Sequence, residues 1–167
     1  MLIYNPAFDI YHTIFRMLQL TSKIEHPIEM DKLRILDFYL VFPIELLEIK
    51  SFRGFKSYEK FINPEKNDYE RILDRKRLFY KMEPIQISSM KSLVAYGIFD
   101  NEIFKTQKIK RTSKQIPTQL SERILSANTY NKNLLNLITG PLAGMDLFGH
   151  LGLKSRTNLI EFKYDTI

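Results

Sequence analysis

The chain has 167 residues, of which 44% are hydrophobic and 26% charged, and its formal net charge is +6. This length supports one hydrophobic core and excludes two large domains, and the balance of apolar and charged residues excludes an intrinsically disordered chain. Cysteine is absent, which excludes disulfides, thiolate metal sites and a cysteine nucleophile. The N-terminal segment lacks a signal-peptide pattern and no apolar stretch is long enough to span a bilayer, so we expect a soluble, cytoplasmic protein.

Two apolar helices are predicted in the first quarter of the chain. Residues 8–21 follow the Asn5-Pro6 break and place aromatic and aliphatic side chains on one helical stripe. Residues 29–42 are apolar on most sides of a helix, which predicts a buried helix at the centre of the core.

An aromatic loop follows, from Phe52 to Phe61. It begins just before Gly54 and ends just before Pro64. Its aromatic residues are interleaved with Lys and Arg, and they are Phe52, Phe55, Tyr58 and Phe61. Aromatic side chains beside cations are typical of protein interfaces. We therefore predict that this loop contacts a partner, while about half of its aromatic residues pack in the core.

The middle of the chain predicts two further helices and a hairpin. The helices cover residues 68–81 and 85–96, and Gly97 stops the second one. Residues 98–111 then resemble a two-stranded wing that turns near Asp100. Helices followed by such a hairpin indicate a core similar to a winged helix-turn-helix over residues 30–112.

The last part of the chain predicts a long helix over residues 118–139, an irregular segment over residues 140–152 and a short strand over residues 158–164. Four glycines interrupt the irregular segment, which also carries Leu147 and Phe148. Because apolar side chains on irregular backbone are hard to cover within a small chain, we predict that these two residues contact a partner.

These elements together predict an α+β fold that is mostly α-helical. We expect a single domain over residues 1–167, in which the winged-helix-like core 30–112 carries the N-terminal helix 8–21 and a C-terminal helix and strand within 118–164.

Catalytic motifs are scarce. The sequence contains no phosphate-binding GxxxxGK[ST] loop and no GxSxG or HExxH pattern, and its three histidines lie in separate segments without metal-ligand spacing. We therefore predict that the protein is not an enzyme and that it needs no metal, cofactor or small-molecule substrate.

The positive charge is concentrated in one ten-residue window, which we call the basic segment. Its five cations are Lys105, Lys108, Lys110, Arg111 and Lys114, and without them 20 cations face 19 acids. Such a segment could contact DNA phosphates, dock onto an acidic protein surface or remain a solvated edge. The sequence leaves these three alternatives open.

Base reading is not expected. The outward positions of the predicted recognition helix are Ser88, Lys91, Ser92 and Ala95. Directional recognition of bases depends mainly on Arg, Asn and Gln. Any DNA contact should therefore be non-specific, which weakens the alternative of a stand-alone winged-helix transcriptional regulator.

Two segments resemble a known family. Residues 3–18, which include YNPAFDIYHTIFRML, and residues 31–43, DKLRILDFYLVFP, are similar to the middle component of ABC-three-component systems. The accessory subunit of Lamassu-type antiphage systems belongs to the same group. The resemblance implies a non-catalytic subunit between an SMC- or Rad50-like ATPase, which senses foreign DNA, and an effector that is often a nuclease. Neither segment is a catalytic motif, so the resemblance assigns a role rather than site residues.

Overall fold

The structure is a computed structural model that describes residues 4–50, 52–62 and 74–161. Its helices are α1 (Ile10–Thr21), α2 (Met30–Val41), α3 (Lys56–Glu59), α4 (Arg75–Ala95), α5 (Asn101–Lys105), α6 (Thr118–Tyr130), α7 (Lys132–Leu137) and α8 (Leu153–Thr157). Two strands, β1 (Ile28–Glu29) and β2 (Lys108–Ile109), form an antiparallel pair. Short 3-10 helices occupy Pro6–Phe8 and Pro43–Glu48, and a π turn occupies Ile138–Leu142. The predicted α+β class, mostly α-helical, is confirmed.

Helix α1 begins at Ile10, two residues after the predicted start at residue 8. Asp9 is its N-cap, and the carboxylate accepts a hydrogen bond from the backbone N–H of His12 at 2.9 Å. This bond satisfies one of the N–H groups that a helix leaves unpaired in its first turn. The inner face of α1 buries Met17, Leu18 and Leu20.

Helix α2 lies at the centre of the core, as its all-round apolar pattern predicts. Leu33, Ile35, Leu36 and Phe38 are fully buried although they point to different sides of the helix. They can all be buried because α1, α4 and the π turn all contact α2. Burying one such side chain stabilises a fold by about 1.5–3 kcal/mol, so α2 is a principal source of stability.

Helix α4 corrects the prediction of two helices over 68–81 and 85–96. Residues 68–73 lie outside the described residues, and from Arg75 one helix continues through Pro84 to Ala95. Proline lacks the N–H that would bond the carbonyl of residue 80. Pro84 is exposed, so water can hydrate that carbonyl, while the buried face of α4 packs against α1 and holds the helix together.

Gly97 ends α4 in a Schellman motif. Its φ is 74°, a left-handed conformation that favours glycine. The N–H of Gly97 bonds the carbonyl of Val94, and the N–H of Ile98 bonds the carbonyl of Leu93, both at 2.9 Å. The helix stop expected from the sequence is therefore present.

The segment after Gly97 is not the predicted two-stranded hairpin. Its ends do approach each other, since Phe99 and Arg111 form an isolated antiparallel bridge. Helix α5 occupies the predicted turn, however, and β2 pairs with β1 from the N-terminal half. The backbone prefers a helix here because Asp100 caps α5 through the N–H of Ile103 at 2.9 Å. A winged helix-turn-helix is not confirmed.

The C-terminal part also differs from its prediction. The expected helix over 118–139 breaks at Asn131 into α6 and α7 and ends in the π turn. Residues 158–161 form no strand, and the rest of the predicted strand lies outside the described residues. Leu159 is nevertheless buried, so this end of the chain packs on the core through side chains rather than through a sheet.

Candidate anion-binding groove

An open groove of about 770 Å³ runs along α6. One side is the connector after α1, with Ser22 and Lys23, and the other is the chain from Arg111 to Thr118 that leads into α6. Lys132, at the start of α7, also lines the groove. The groove is therefore assembled from two distant parts of the sequence, residues 22–23 and 111–132.

Helix α6 contributes one face to the groove because its lining residues recur every three or four positions. They are Thr118, Ser121, Ile124, Leu125, Asn128 and Thr129. Asn128 fixes this face against α1, since its side chain accepts a hydrogen bond from Gln19 Nε2 at 3.1 Å and donates one to Ser22 Oγ at 3.0 Å. These bonds set the distance between the two walls.

Among the described residues, four cations line the groove and no acidic residue does. They are Lys23, Arg111, Lys114 and Lys132. Within the described parts of the chain, none of the four forms a salt bridge; Lys23 donates to the Asn136 amide oxygen at 3.3 Å, and Lys114 donates to the Tyr96 carbonyl at 2.6 Å. The groove is thus a concave surface with uncompensated positive charge.

Arg111 is the least solvated of these cations. Its side chain is half-buried, and its Nε atom is buried without a hydrogen-bond partner among the described residues. Burial lowers the pKa of the Arg111 guanidinium because low-polarity surroundings disfavour its charged form.

The structure divides the basic segment into two parts. Arg111 and Lys114 face the groove, whereas Lys105, Lys108 and Lys110 are exposed outside its lining. Lys105 forms a salt bridge of 2.7 Å with Glu102. Sequence reasoning missed Lys23 and Lys132 because no local pattern connects either residue with the basic segment.

The residues of the predicted partner interface differ in burial. Phe55 and Leu147 are buried in the core, with 4% and 3% of their surface exposed. Phe52 and Tyr58 are half-buried, whereas Phe61 and Phe148 expose 45% and 46%. Only the exposed members can offer a large apolar surface to a partner in this conformation; whether they do so stays a prediction.

A buried ion-pair network connects the three core helices. Arg16 on α1 donates from Nε to Asp37 Oδ1 at 2.6 Å, and Gln86 on α4 donates to Asp37 Oδ2 at 2.9 Å. Asp37 is fully buried on α2. These residues fix how α1, α2 and α4 pack, so their role is structural.

Arg34 extends this network towards the surface. Its Nε donates to the Gln86 amide oxygen at 3.2 Å, and its guanidinium also forms salt bridges with Asp31 and Glu83. The Arg34 guanidinium lies 4.7 Å from the centre of the Phe79 ring, a favourable cation–π distance. Each buried cation of the network therefore has an acid beside it, unlike the groove cations.

The outward positions predicted on α4 lie mostly at its surface. Ser88, Lys91 and Ala95 are exposed, and Ser92 is half-buried. The Ser92 hydroxyl donates to the carbonyl of Ser88 at 2.9 Å, so it is already used within the helix. This face offers one lysine and small side chains, so weak base reading by α4 stays a prediction.

Neither a metal cluster nor a membrane-spanning helix occurs among the described residues. No group of three or more His, Cys, Asp or Glu side chains there is placed to hold a metal ion. No described helix is both long enough and apolar enough to cross a membrane.

Comparison with protein families agrees with the two core segments that suggested a resemblance. The family described as ABC-three component (ABC-3C) system Middle Component 5 matches residues 2–165. The chain belongs to this family. No curated protein and no solved structure shows significant similarity to it. As a middle component of an ABC-3C system, the protein has an accessory role that implies interaction with the other components.

Proposed function

We propose that this middle component is a non-catalytic adaptor that links an SMC- or Rad50-like ATPase to an effector, for which we expect a nuclease. The complex would be a Lamassu-type defence system against phages or plasmids and would act in the cytoplasm. The observation that carries this proposal is the family match over residues 2–165. Accessory middle components interact with other components, and an adaptor is the simplest role that requires such contacts.

The distribution of buried polar groups supports a structural rather than a catalytic part. Arg16, Asp37 and Gln86 bond one another inside the helical core. A catalytic carboxylate must reach its substrate, whereas Asp37 is fully buried and accepts hydrogen bonds from both neighbours. We therefore assign this network to stability.

We propose Phe61 and Phe148 as contacts with the ATPase or the effector. Each has a cation over its ring, since Lys60 Nζ lies 5.1 Å from the ring centre of Phe61 and Lys154 Nζ lies 4.7 Å from that of Phe148. Half-exposed aromatic rings held by cations combine apolar area with restricted motion, which interfaces favour.

Co-purification tests the adaptor role. The chain would be tagged and co-expressed with the ATPase and the effector encoded beside it, and we expect both to be recovered with it. Recovery of the tagged chain alone would overturn the proposal. Omitting this chain should also separate the ATPase from the effector; an ATPase–effector pair that assembles equally well without it would contradict an adaptor.

A matched pair of variants tests the contact surface. Phe148→Glu should reduce recovery of at least one partner about tenfold, because a charge at the centre of an interface costs more than about 1.4 kcal/mol. Tyr11→Glu is the control, since Tyr11 is 80% exposed on α1 and outside the proposed contact. Equal recovery with both variants would place the interface elsewhere. Leu147→Glu is unsuitable here because that residue is buried in the core.

A further inference from the structure

We propose that the groove along α6 binds the phosphates of duplex DNA without reading its sequence. The inference goes beyond the proposed adaptor role and does not depend on it, because it rests on the groove itself. It also differs from a contact made by the whole basic segment, since only Arg111 and Lys114 of that segment face the groove.

The positive charge of the groove favours the binding of an anion. Lys23, Arg111, Lys114 and Lys132 line the cavity, and no acid does so in the described parts of the chain. Like charges around a concave surface raise the local positive potential, and they attract anions from solution. Arg111 contributes a guanidinium to the lining, and Arg is well suited to phosphate oxygens.

The neutral lining residues also suit phosphates. The hydroxyls of Ser113, Thr118 and Ser121 line the groove and form no hydrogen bond to other described residues. Hydroxyl groups are common donors to DNA phosphates. Thr118 also starts α6, whose N-cap Pro117 provides no side-chain hydrogen bond, so the unpaired N–H groups of this first turn add positive potential.

The groove lining suits the phosphate backbone of DNA better than its bases. None of the described residues that line the groove is aromatic, so they offer no platform on which unpaired bases could stack. Proteins that bind single strands commonly depend on such platforms. The Asn128 amide is already bonded to Gln19 and Ser22. These features favour a duplex, whose bases stay stacked while its phosphates are presented outward.

Fluorescence anisotropy with the purified full-length chain tests this inference. The probes are two labelled duplexes of unrelated sequence, about 20 base pairs each, and a single strand of the same length. We expect both duplexes to bind with similar affinity and more tightly than the single strand. No duplex binding at low salt, strong preference for one duplex, or tighter binding of the single strand would each overturn the proposal.

A pair of double variants locates the binding surface. Lys23→Ala with Lys132→Ala should weaken binding to both duplexes about tenfold and reduce the slope of log affinity against log salt by about 1.8, because each phosphate that is no longer neutralised lowers it by about 0.9. Lys105→Ala with Lys108→Ala removes the same charge outside the groove and should change affinity less than about threefold. Equal losses of affinity from the two pairs would overturn a groove-specific interaction.

An acidic peptide is the competing occupant. A labelled poly-glutamate peptide is therefore titrated under the same conditions, and the groove pair of variants is tested against it. We expect the peptide to bind at least tenfold more weakly than the duplexes. A peptide that binds as tightly as duplex DNA and loses affinity with the same two lysines would overturn the choice of nucleic acid.

Discussion

Cations occupy two contrasting settings in this protein, the helical core and the groove along α6. In the core, Arg16 lies 2.6 Å from Asp37 and both side chains are almost completely buried. In the groove, Lys23, Lys114 and Lys132 are exposed to solvent and no described acid pairs with them. A buried charge is tolerated only with a partner inside the protein. A solvated charge needs none, so it remains available for a partner outside the chain.

The two settings predict opposite consequences when charge is removed. Removing the acid from a buried pair leaves a charge in low-polarity surroundings, and this costs more than the pair itself contributes. Removing a cation from a surface that is already positive costs little and relieves repulsion. Substitutions can test this contrast, beginning with the one of largest expected effect.

Asp37→Asn should destabilise the protein by about 3–5 kcal/mol, because it leaves Arg16 buried without a compensating charge. Urea unfolding measures the loss. Glu102→Gln is the control: Glu102 pairs with Lys105 at 2.7 Å, nearly the same distance, but on the surface. That change should cost about 0–1 kcal/mol. Similar losses in the two variants would show that burial does not set the strength of these pairs.

Gly97→Ala should cost about 1–2 kcal/mol, because an L-residue is strained in the left-handed conformation at φ 74°. The added methyl group itself fits, since its nearest neighbour would be Lys114 Cδ at 3.5 Å. Gly140→Ala is the control, because the space around Gly140 is open and its φ is not positive. Thermal unfolding compares the two, and an equal loss at both sites would contradict the backbone explanation.

Gly97→Ala also sharpens the comparison of core and groove. The Gly97 carbonyl accepts a hydrogen bond from Thr112 Oγ1 at 2.6 Å, and Thr112 lies in the groove lining. If the variant alters the turn, duplex DNA binding should fall together with stability. If DNA binding is unchanged, the α4 stop contributes to stability alone.

Lys132→Ala should change the unfolding free energy by less than about 0.5 kcal/mol. At low salt we expect slight stabilisation, since one of four neighbouring positive charges is removed, and high salt should abolish this gain. Lys105→Ala should instead be slightly destabilising, because it breaks the surface pair with Glu102. Thermal unfolding at two salt concentrations checks both signs. Destabilisation by Lys132→Ala at low salt would show that this lysine has a structural partner.

Local patterns in the sequence determined α1, α2 and the stop at Gly97. These patterns are the apolar periodicity of α1, the all-round apolar character of α2 and Gly97 beyond the end of α4. Each of them acts over one or a few helical turns. The two segments that resemble the family coincide with α1 and α2, and the family match extends over residues 2–165. Helical spacing also predicted that Ser88, Lys91 and Ala95 point outward on α4, and all three are exposed.

Tertiary structure decided the features that join distant parts of the chain. The sequence predicted separate helices over 68–81 and 85–96, but from Arg75 one helix continues through Pro84, because packing of α4 against α1 outweighs the loss of one hydrogen bond. The sequence also predicted a hairpin over residues 98–111, but β2 pairs with β1. In each case a local preference is smaller than the gain from burying a helix face or pairing with a distant strand.

The groove cations also divide into those that the sequence identified and those that only the tertiary structure brought together. Composition and the clustering of cations identified Arg111 and Lys114 from the sequence alone. Lys23 and Lys132 join them only because Asn128 holds α6 against the end of α1. Sequence by itself determined which helices form and where positive charge concentrates, since both depend on neighbouring residues. Only the tertiary structure decided which cations share a cavity and which receive a buried acid, because that depends on how the helices pack.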